Sequence, residues 1–263
     1  MKILVFADVH YYCEDISTAL FNKNKKLVQY AVPLLDSLIK KTTEQEQVID
    51  FCVNLGDLIQ DANNHDKDIQ ALEFMFHKLK EMKCPCYSVL GNHDLKMMDS
   101  VKEIEDITGQ KFTFSIDVNG YHFVFITTEV RPELGLERGG CYKAQYMSSQ
   151  DMEWLRQDLA QNELPCLIFT HYALAEDSSI SDECMFMKNR AEVKDIIKSN
   201  RNVLAVFSGH QHITKELQED GITYYLLGSL SGCTKQRGVP DGVYYELDLK
   251  DGNMVVTERA ITL

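Results

Sequence analysis

Residues 201–212 read RNVLAVFSGHQH, an apolar run that ends in two histidines separated by one residue. Residues i and i+2 of a strand point to the same side of the sheet. Where this strand ends, His210 and His212 can therefore be directed into one cleft. An isolated pair of this kind is also typical of an ordinary surface turn, so the rest of the chain has to decide between the two interpretations.

Four other apolar runs end in the same manner. Short continuous apolar runs predict strands over 2–8, 50–57, 86–94 and 165–171, a pattern that suits strands buried on both faces. The residues at their ends that suit a metal site are Asp8 and His10, Asp57, Asn92 with His93 and Asp94, and His171. Ligands bind at the carboxyl ends of strands in open α/β sheets, so five such ends can converge on one cleft. Oxygen and imidazole donors without a thiolate favour Mn, Fe, Zn, Co or Ni and disfavour a structural zinc site.

Amphipathic segments between these runs predict helices over 23–42, 68–82, 148–162 and 188–199, with Ser148 or Ser149 capping the third. Strands that alternate with helices indicate βαβ units and a mainly parallel sheet. Hairpins turning at Asn119-Gly120 and Asp251-Gly252, and a run over 222–229, add antiparallel strands. We therefore predict one domain over residues 1–263, of the α/β class, with two mixed sheets sandwiched between helices.

Composition limits the partners. The 263 residues include 27 Lys and Arg against 40 Asp and Glu, a net charge of −13. This balance disfavours a nucleic-acid polymer, which requires a basic face, but not phosphate chemistry, because bound cations can invert the local field. The eight cysteines form no CxxC pair and are predicted to be reduced thiols. No signal peptide or run of ~20 apolar residues is visible, so we predict a cytoplasmic protein without a membrane partner.

Taken in order, the motifs D-x-H, GD, GNHD, H and GHxH resemble the signature of the calcineurin-like metallophosphoesterases. The resemblance spans residues 8 to 212 and lacks no signature residue. It implies a four-layer αββα double β-sandwich and a centre of two metal ions, with manganese expected and Fe, Zn, Co or Ni compatible. The implied ligands are Asp8, His10 and His212 for one ion, Asn92, His171 and His210 for the other, and Asp57 as the bridge between them.

The same resemblance implies the chemistry. His93 would face the substrate and protonate the leaving oxygen or stabilise charge on the phosphoryl group, and Asp94 would orient His93. A metal-bound hydroxide would attack, so that no protein nucleophile is needed. The reaction would be the hydrolysis of a phosphate ester or anhydride.

Several subgroups of this family can be compared. The stretch GDLIQDANN lacks the arginine of the protein Ser/Thr phosphatases, and an acidic chain does not suit the repair nucleases. The chain resembles class III cyclic-nucleotide phosphodiesterases in length and motifs. It also resembles manganese-dependent ADP-ribose/CDP-alcohol diphosphatases in ADVHYY, NLGDLIQDANN and CPCYSVLGNHD, although those often replace the histidine kept here as His10. We expect a phosphodiesterase or pyrophosphatase acting on a small nucleotide-type substrate.

Two alternatives stay open. One is a phosphomonoesterase, and the other is a catalytically silent scaffold of the same fold that binds proteins. A scaffold usually shows gaps in the ligand set, and it has no obvious need for His93, which has no ligand duty.

The loops around the site are less informative. Segments 131–146, 172–190 and 228–242 match no regular element and are expected to border the cleft. Arg131, Arg138 and Arg190 are candidate phosphate contacts within them, as are Asp61 and Asn63 in the loop after Asp57, where His65 is expected to be solvated. His77 and His122 are predicted to be structural. The exact substrate, the native metals and the oligomeric state cannot be read from the sequence.

Overall fold

The computed structural model describes residues 1–14, 26–44, 48–135, 142–236 and 238–263. The strands in these ranges are β1 Lys2–Phe6, β2 Phe51–Asn54, β3 Cys86–Ser88, β4 Phe114–Val118, β5 Tyr121–Ile126, β6 Cys166–Thr170, β7 Val203–Ser208, β8 Lys215–Glu219, β9 Ile222–Leu226, β10 Val243–Lys250 and β11 Asn253–Ala260. The α-helices are α1 Ala31–Glu44, α2 His65–Leu79, α3 Asn92–Leu95, α4 Val101–Thr108, α5 Ser149–Gln161 and α6 Arg190–Lys198.

The strands form two mixed sheets. One has five strands in the order β11-β10-β1-β2-β3, and the other has six in the order β4-β5-β6-β7-β9-β8. The strands β1, β2 and β3 run parallel, as do β5, β6, β7 and β9, while β10 is antiparallel to β1. The parallel strands place their carboxyl ends on one side of the molecule, as the sequence pattern predicted.

Apolar residues on both faces of these strands create the layers. In β1, Leu4 and Phe6 pack into a cluster with residues of α1 and α2, whereas Ile3 and Val5 pack between the sheets against residues of β5, β6 and β7. A third cluster joins the outer face of the second sheet to α5 and α6. Because side chains alternate along a strand, one continuous apolar run supplies two layers of core. The predicted four-layer αββα architecture is confirmed.

The differences from the sequence prediction lie at the ends of elements and in two omissions. The strand predicted over 86–94 ends at Ser88, and α3 begins at Asn92. The predicted helix over 23–42 begins at Ala31, after a 3-10 turn at Val28–Tyr30, and residues 23–25 lie outside the described residues. Neither α4 nor β8 was predicted. The sequence of β8, KELQE, contains a single apolar residue because it is an edge strand with charged side chains.

Candidate metal centre

Two groups of metal-binding side chains meet at the carboxyl ends of the strands. In the first, the Nε2 atoms of His10 and His212 lie 3.0 Å apart, and His212 Nε2 is 3.2 Å from Asp8 Oδ1. Asp57 Oδ2 is 3.9 Å from His10 Nε2. These are the ligands that the resemblance assigned to one ion, with the bridging carboxylate beside them.

The second group lies on the other side of Asp57. Its Oδ1 is 3.5 Å from His171 Nε2, which is also 3.3 Å from Asn92 Oδ1. The donor atoms of Asp57, His171 and His210 all lie within 4.8 Å of one another. Asp57 therefore presents one carboxylate oxygen to each group, as a bridging ligand does.

The donor set fits divalent cations. Asp8, His10, Asp57 and His171 are buried, and buried carboxylates need a cationic or hydrogen-bonding partner. Two imidazole nitrogens that face each other at 3.0 Å, with a carboxylate oxygen beside them, form an arrangement that a shared cation satisfies. Backbone carbonyls fix two of the rings. The Nδ1 of His171 lies 2.7 Å from Leu55 O, which leaves Nε2 for the metal, and the Nε2 of His210 lies 3.0 Å from Cys184 O, which leaves Nδ1.

The backbone at these ligands is strained. Among the described residues, Asp8, His10, Asp57, His210 and His212 all have positive φ values between 52° and 66°. Such a conformation costs of order 1–3 kcal/mol per residue outside glycine, and it is concentrated at functional sites. Five strained residues therefore mark the same cleft that the side chains define.

Two glycines allow the strand ends to approach one another. A Cβ atom on Gly91 would lie 2.2 Å from Asp57 Oδ1 and 2.5 Å from the Asp57 nitrogen. Gly56 has φ +92°, and its Cβ would lie 2.6 Å from the Gly91 nitrogen. Because no side chain fits between the two loops, the GD and GNHD motifs can place Asp57 and Asn92 at one centre.

His93 faces the same cleft beside the first group of ligands, with its ring centroid 5.1 Å from that of His10. His10, Asp57 and His93 form a further group of donors within 4.8 Å. The Nε2 of His93 is 4.0 Å from Asp57 Oδ2 but only 2.7 Å from the Lys26 ammonium group. An ammonium group beside the ring disfavours a metal ion on that nitrogen, so the geometry agrees with a position facing the substrate.

The carboxylate beside His93 is Asp61. Its Oδ2 is 2.5 Å from His93 Nδ1, and its side chain is 1 % exposed. This differs from the expectation that Asp94 orients His93. Asp94 instead accepts hydrogen bonds from the backbone N–H groups of Ile59 and Gly91. It joins the two motif loops, and burial raises its pKa to about 7, with the charge of Asp57 as a further cause.

Asp61 belongs to a polar network that the sequence did not reveal. Lys96 Nζ donates to Asp61 Oδ1 at 2.7 Å, and the Gln60 side-chain amide donates to Asp61 Oδ2 at 3.1 Å. Burial raises the pKa of Asp61, but its hydrogen bonds to His93 and Lys96 outweigh that effect and leave a value of about 2. Asp61 is thus a carboxylate at neutral pH. The sequence analysis named it only as a candidate substrate contact.

Several loop residues are paired away from the cleft. Arg131 contacts Glu133, and Arg190 contacts Glu176 and Glu183. Arg138 lies outside the described residues. His65 is exposed beside Glu103, and the ring of His122 lies between Asp117 and Asp158 as a structural residue.

Two of the predicted loops border the centre, and residues 136–141 of the third, 131–146, lie outside the described residues. Cys184 and Met185 of segment 172–190 accept hydrogen bonds from His210 and Gln211. Ser229 of segment 228–242 donates to Asp8 O at 2.8 Å. The described cysteines form no disulfide, and no helix in the described ranges combines the length and apolar character needed to cross a membrane.

Comparisons with known proteins place the chain in a family. A family model described as calcineurin-like phosphoesterase matches residues 1–214. A probable cyclic nucleotide phosphodiesterase from Fibrobacter succinogenes is 26% identical over 218 residues, covering 82% of this chain and 78% of that protein. A 3',5'-cyclic adenosine monophosphate phosphodiesterase from Haemophilus influenzae is 22% identical over 251 residues, covering 94% and 81%.

A dimetal phosphatase from Danio rerio shares the fold. Its crystal structure matches with a TM-score of 0.74 at 17% identity, covering 98% of this chain and 96% of that chain. At this identity the likeness supports the architecture alone.

Proposed function

The chain belongs to the calcineurin-like phosphoesterase family and is a metal-dependent hydrolase, and we propose that it cleaves a phosphodiester or pyrophosphate bond in a small nucleotide-type substrate. The observation that carries the proposal is Asp57, whose two carboxylate oxygens face the two groups of metal-binding side chains. We propose manganese ions at both positions. A cytoplasmic location is part of the same proposal.

The roles of the ligands follow from their positions. Asp8, His10 and His212 would hold one ion, Asn92, His171 and His210 would hold the other, and Asp57 would bridge them. Bound cations supply charge neutralisation for a phosphoryl group and lower the pKa of a water molecule close to it.

The chain's own residues supply the proton. His93 lies beside His10 and Asp57, with Nε2 directed toward Lys26 and Asp57. The Asp61 carboxylate at Nδ1 fixes the orientation of the ring. Burial and the Lys26 ammonium group lower the pKa of His93 below its usual value, and the hydrogen bond to Asp61 opposes that shift. We propose that His93 gives a proton from Nε2 to the departing oxygen, the standard role of a general acid.

The substrate class is supported by the relatives and by the composition. Relatives whose sequences cover most of this chain are named as cyclic nucleotide phosphodiesterases. The net charge of −13 disfavours a nucleic-acid polymer. A small phosphoester remains.

The experiment is a hydrolysis panel on metal-stripped protein that has been reloaded with Mn²⁺. The substrates are bis-p-nitrophenyl phosphate, p-nitrophenyl phosphate, cyclic AMP and ADP-ribose, and the bound metal is counted by mass spectrometry. Turnover of the diesters or of ADP-ribose supports the proposal. Turnover of the monoester alone indicates a phosphomonoesterase, and inactivity with two ions bound indicates a scaffold.

Matched variants connect the activity to the site. We expect His93→Asn to lower turnover about 10²- to 10⁴-fold, the usual contribution of a general acid, without loss of metal. His65→Asn, at an exposed histidine outside the cleft, should match the wild type. If His93→Asn removed metal, its proposed role would be wrong.

A further inference from the structure

Lys26 is a cation that neither the motifs nor the metal ligands explain. Its ammonium group lies 2.7 Å from His93 Nε2 and donates to Gln60 Oε1 at 3.0 Å. Within the ranges that the structure describes, no carboxylate lies within 4.0 Å of it. Lys96, on the other side of His93, is in contrast paired with Asp61.

The position of Lys26 is set by the backbone. Lys26 pairs with Gly232 in an antiparallel bridge, and the N–H of Leu27 donates to Ser231 O at 3.0 Å. The Ser231 segment is itself joined to the end of β1, because the N–H of Leu230 donates to the carbonyl of Ala7 at 2.9 Å. Leu27 is buried. These contacts hold the lysine in the cleft beside His93.

A partly buried cation without a carboxylate partner favours an anionic ligand. Desolvating a charge is unfavourable unless an opposite charge or hydrogen-bond acceptors replace the lost water. Burial lowers the pKa of Lys26 below its usual value, although the carboxylates of Asp57, Asp8 and Asp61 oppose that shift. Metal ions would engage Asp8 and Asp57, so a bound anion would become the natural partner of the ammonium group.

The location next to His93 Nε2 indicates which part of the substrate the anion belongs to. We propose that Lys26 binds a phosphate oxygen on the leaving-group side of the scissile bond and so selects phosphoanhydrides, whose leaving group carries negative charge. This inference rests on the proposed function. It identifies a specificity-determining residue for that reaction.

The chemistry of the two substrate classes explains the choice. In anhydride hydrolysis a bond forms between phosphorus and the oxygen of water, the bridging P–O bond breaks, and its electron pair leaves on the second phosphate. That phosphate is a weak base, so it needs a cation more than it needs a proton. A departing sugar alkoxide needs the proton of His93 instead, and it carries no charge once it is protonated.

The test compares Lys26→Met and Lys26→Arg in the Mn²⁺-loaded protein. Charge-assisted hydrogen bonds correspond to about 10- to 100-fold in rate. We expect Lys26→Met to lower kcat/KM for ADP-ribose by about that factor while lowering cyclic AMP and bis-p-nitrophenyl phosphate hydrolysis by less than about threefold. Lys26→Arg should retain most of the ADP-ribose activity. The control variant Lys102→Met removes the same charge from an exposed lysine and should leave every rate unchanged.

A binding measurement separates this inference from the proposed function. Calorimetry with α,β-methylene-ADP, in which carbon replaces the bridging oxygen, reports binding without turnover. We expect binding about tenfold or more weaker in Lys26→Met, with the same number of Mn²⁺ ions bound. Equal losses on all substrates, no loss on any, or unchanged binding of the analogue would overturn the assignment. If the wild type hydrolyses nothing, the proposed function fails, and the analogue still decides the role of Lys26.

Discussion

Replacing Asp61 by Asn tests whether the network around His93 contributes to catalysis. The substitution keeps the shape of the side chain and removes its charge. It disrupts the hydrogen bond between Asp61 Oδ2 and His93 Nδ1 at 2.5 Å, made by a carboxylate that is 1 % exposed. A charge-assisted hydrogen bond of this kind is worth about 1.5–3 kcal/mol. We therefore expect kcat to fall about 10- to 100-fold.

The expected signature is more specific than a loss of rate. Asp61 is argued to act through His93 and not on the substrate, so KM should change little and both ions should remain bound. In the double variant Asp61→Asn/His93→Asn, the rate should equal that of His93→Asn alone. Once the imidazole ring has been removed, Asp61 has nothing left to orient. Asp66→Asn, at an exposed aspartate in the same segment, serves as the control.

Steady-state kinetics on cyclic AMP, whose departing alkoxide needs the proton of His93, and metal counting by mass spectrometry provide the data. If the fold losses in kcat of the two single variants multiplied in the double variant, Asp61 would act independently of His93. Loss of metal from Asp61→Asn would show that it supports the ligands instead. Either result refutes the argument that this carboxylate positions the histidine.

Three further predictions follow from other parts of the structure. Asp57→Ala should remove both ions and all turnover, since one carboxylate faces both ligand groups; retention of two ions by mass spectrometry would contradict the bridge. Gly91→Ala places a Cβ 2.2 Å from Asp57 Oδ1. We therefore expect Mn²⁺ binding, measured by calorimetry, to weaken about tenfold or more. The free energy of unfolding, measured by denaturation, should fall by about 1–3 kcal/mol. Burial lowers the pKa of His122, but the carboxylates of Asp158 and Asp117 outweigh that effect, so the pKa is raised overall. The stabilisation from these contacts is complete below the usual histidine pKa of about 6.5 and declines as pH rises through the higher pKa of the folded state. In urea titrations, the free energy of unfolding of the wild type should therefore exceed that of His122→Gln most at acid pH. A difference that does not depend on pH would argue against these contacts.

The ligands of the metal centre could be proposed from sequence because each one stands at the end of an apolar run that predicts a strand. In a parallel sheet, the ends of neighbouring strands meet by topology, which brings Asp8 beside Asp57 at the ends of β1 and β2, and His171 beside His210 at the ends of β6 and β7. The packing of the two sheets then brings these two pairs to one centre. The helix α4 also carried a signal, although it was not predicted. Ser100 caps its first turn by accepting from the Glu103 N–H, and Gly109 ends it with a left-handed conformation. This Ser-x-x-Glu pattern with a following glycine is a known pair of helix boundary signals.

The network around His93 could not be predicted, because its members come from segments that no local pattern connects. Lys26 and His93 are separated by 67 residues, and Asp61 and His93 by 32. Their meeting depends on the course of loops between the layers and not on the period of any strand or helix. The family resemblance implied Asp94 as the partner of His93. Since α3 begins at Asn92, Asp94 turns back onto the Gly91 N–H, and Asp61 can occupy the place beside the ring.

The strained backbone explains why the ligand motifs are both short and recognisable. Each strand must turn sharply at its end to direct a donor into the cleft, and at five ligands it does so through a left-handed conformation. Outside glycine, this conformation is most often adopted by Asn, Asp and His. All nine non-glycine residues with positive φ in the described ranges are of these three types. Asn, Asp and His are also the oxygen and nitrogen donors that a dinuclear centre needs. The turn and the metal chemistry thus select the same residue types, so a motif of two to four residues specifies both the path of the chain and the ligand that it presents.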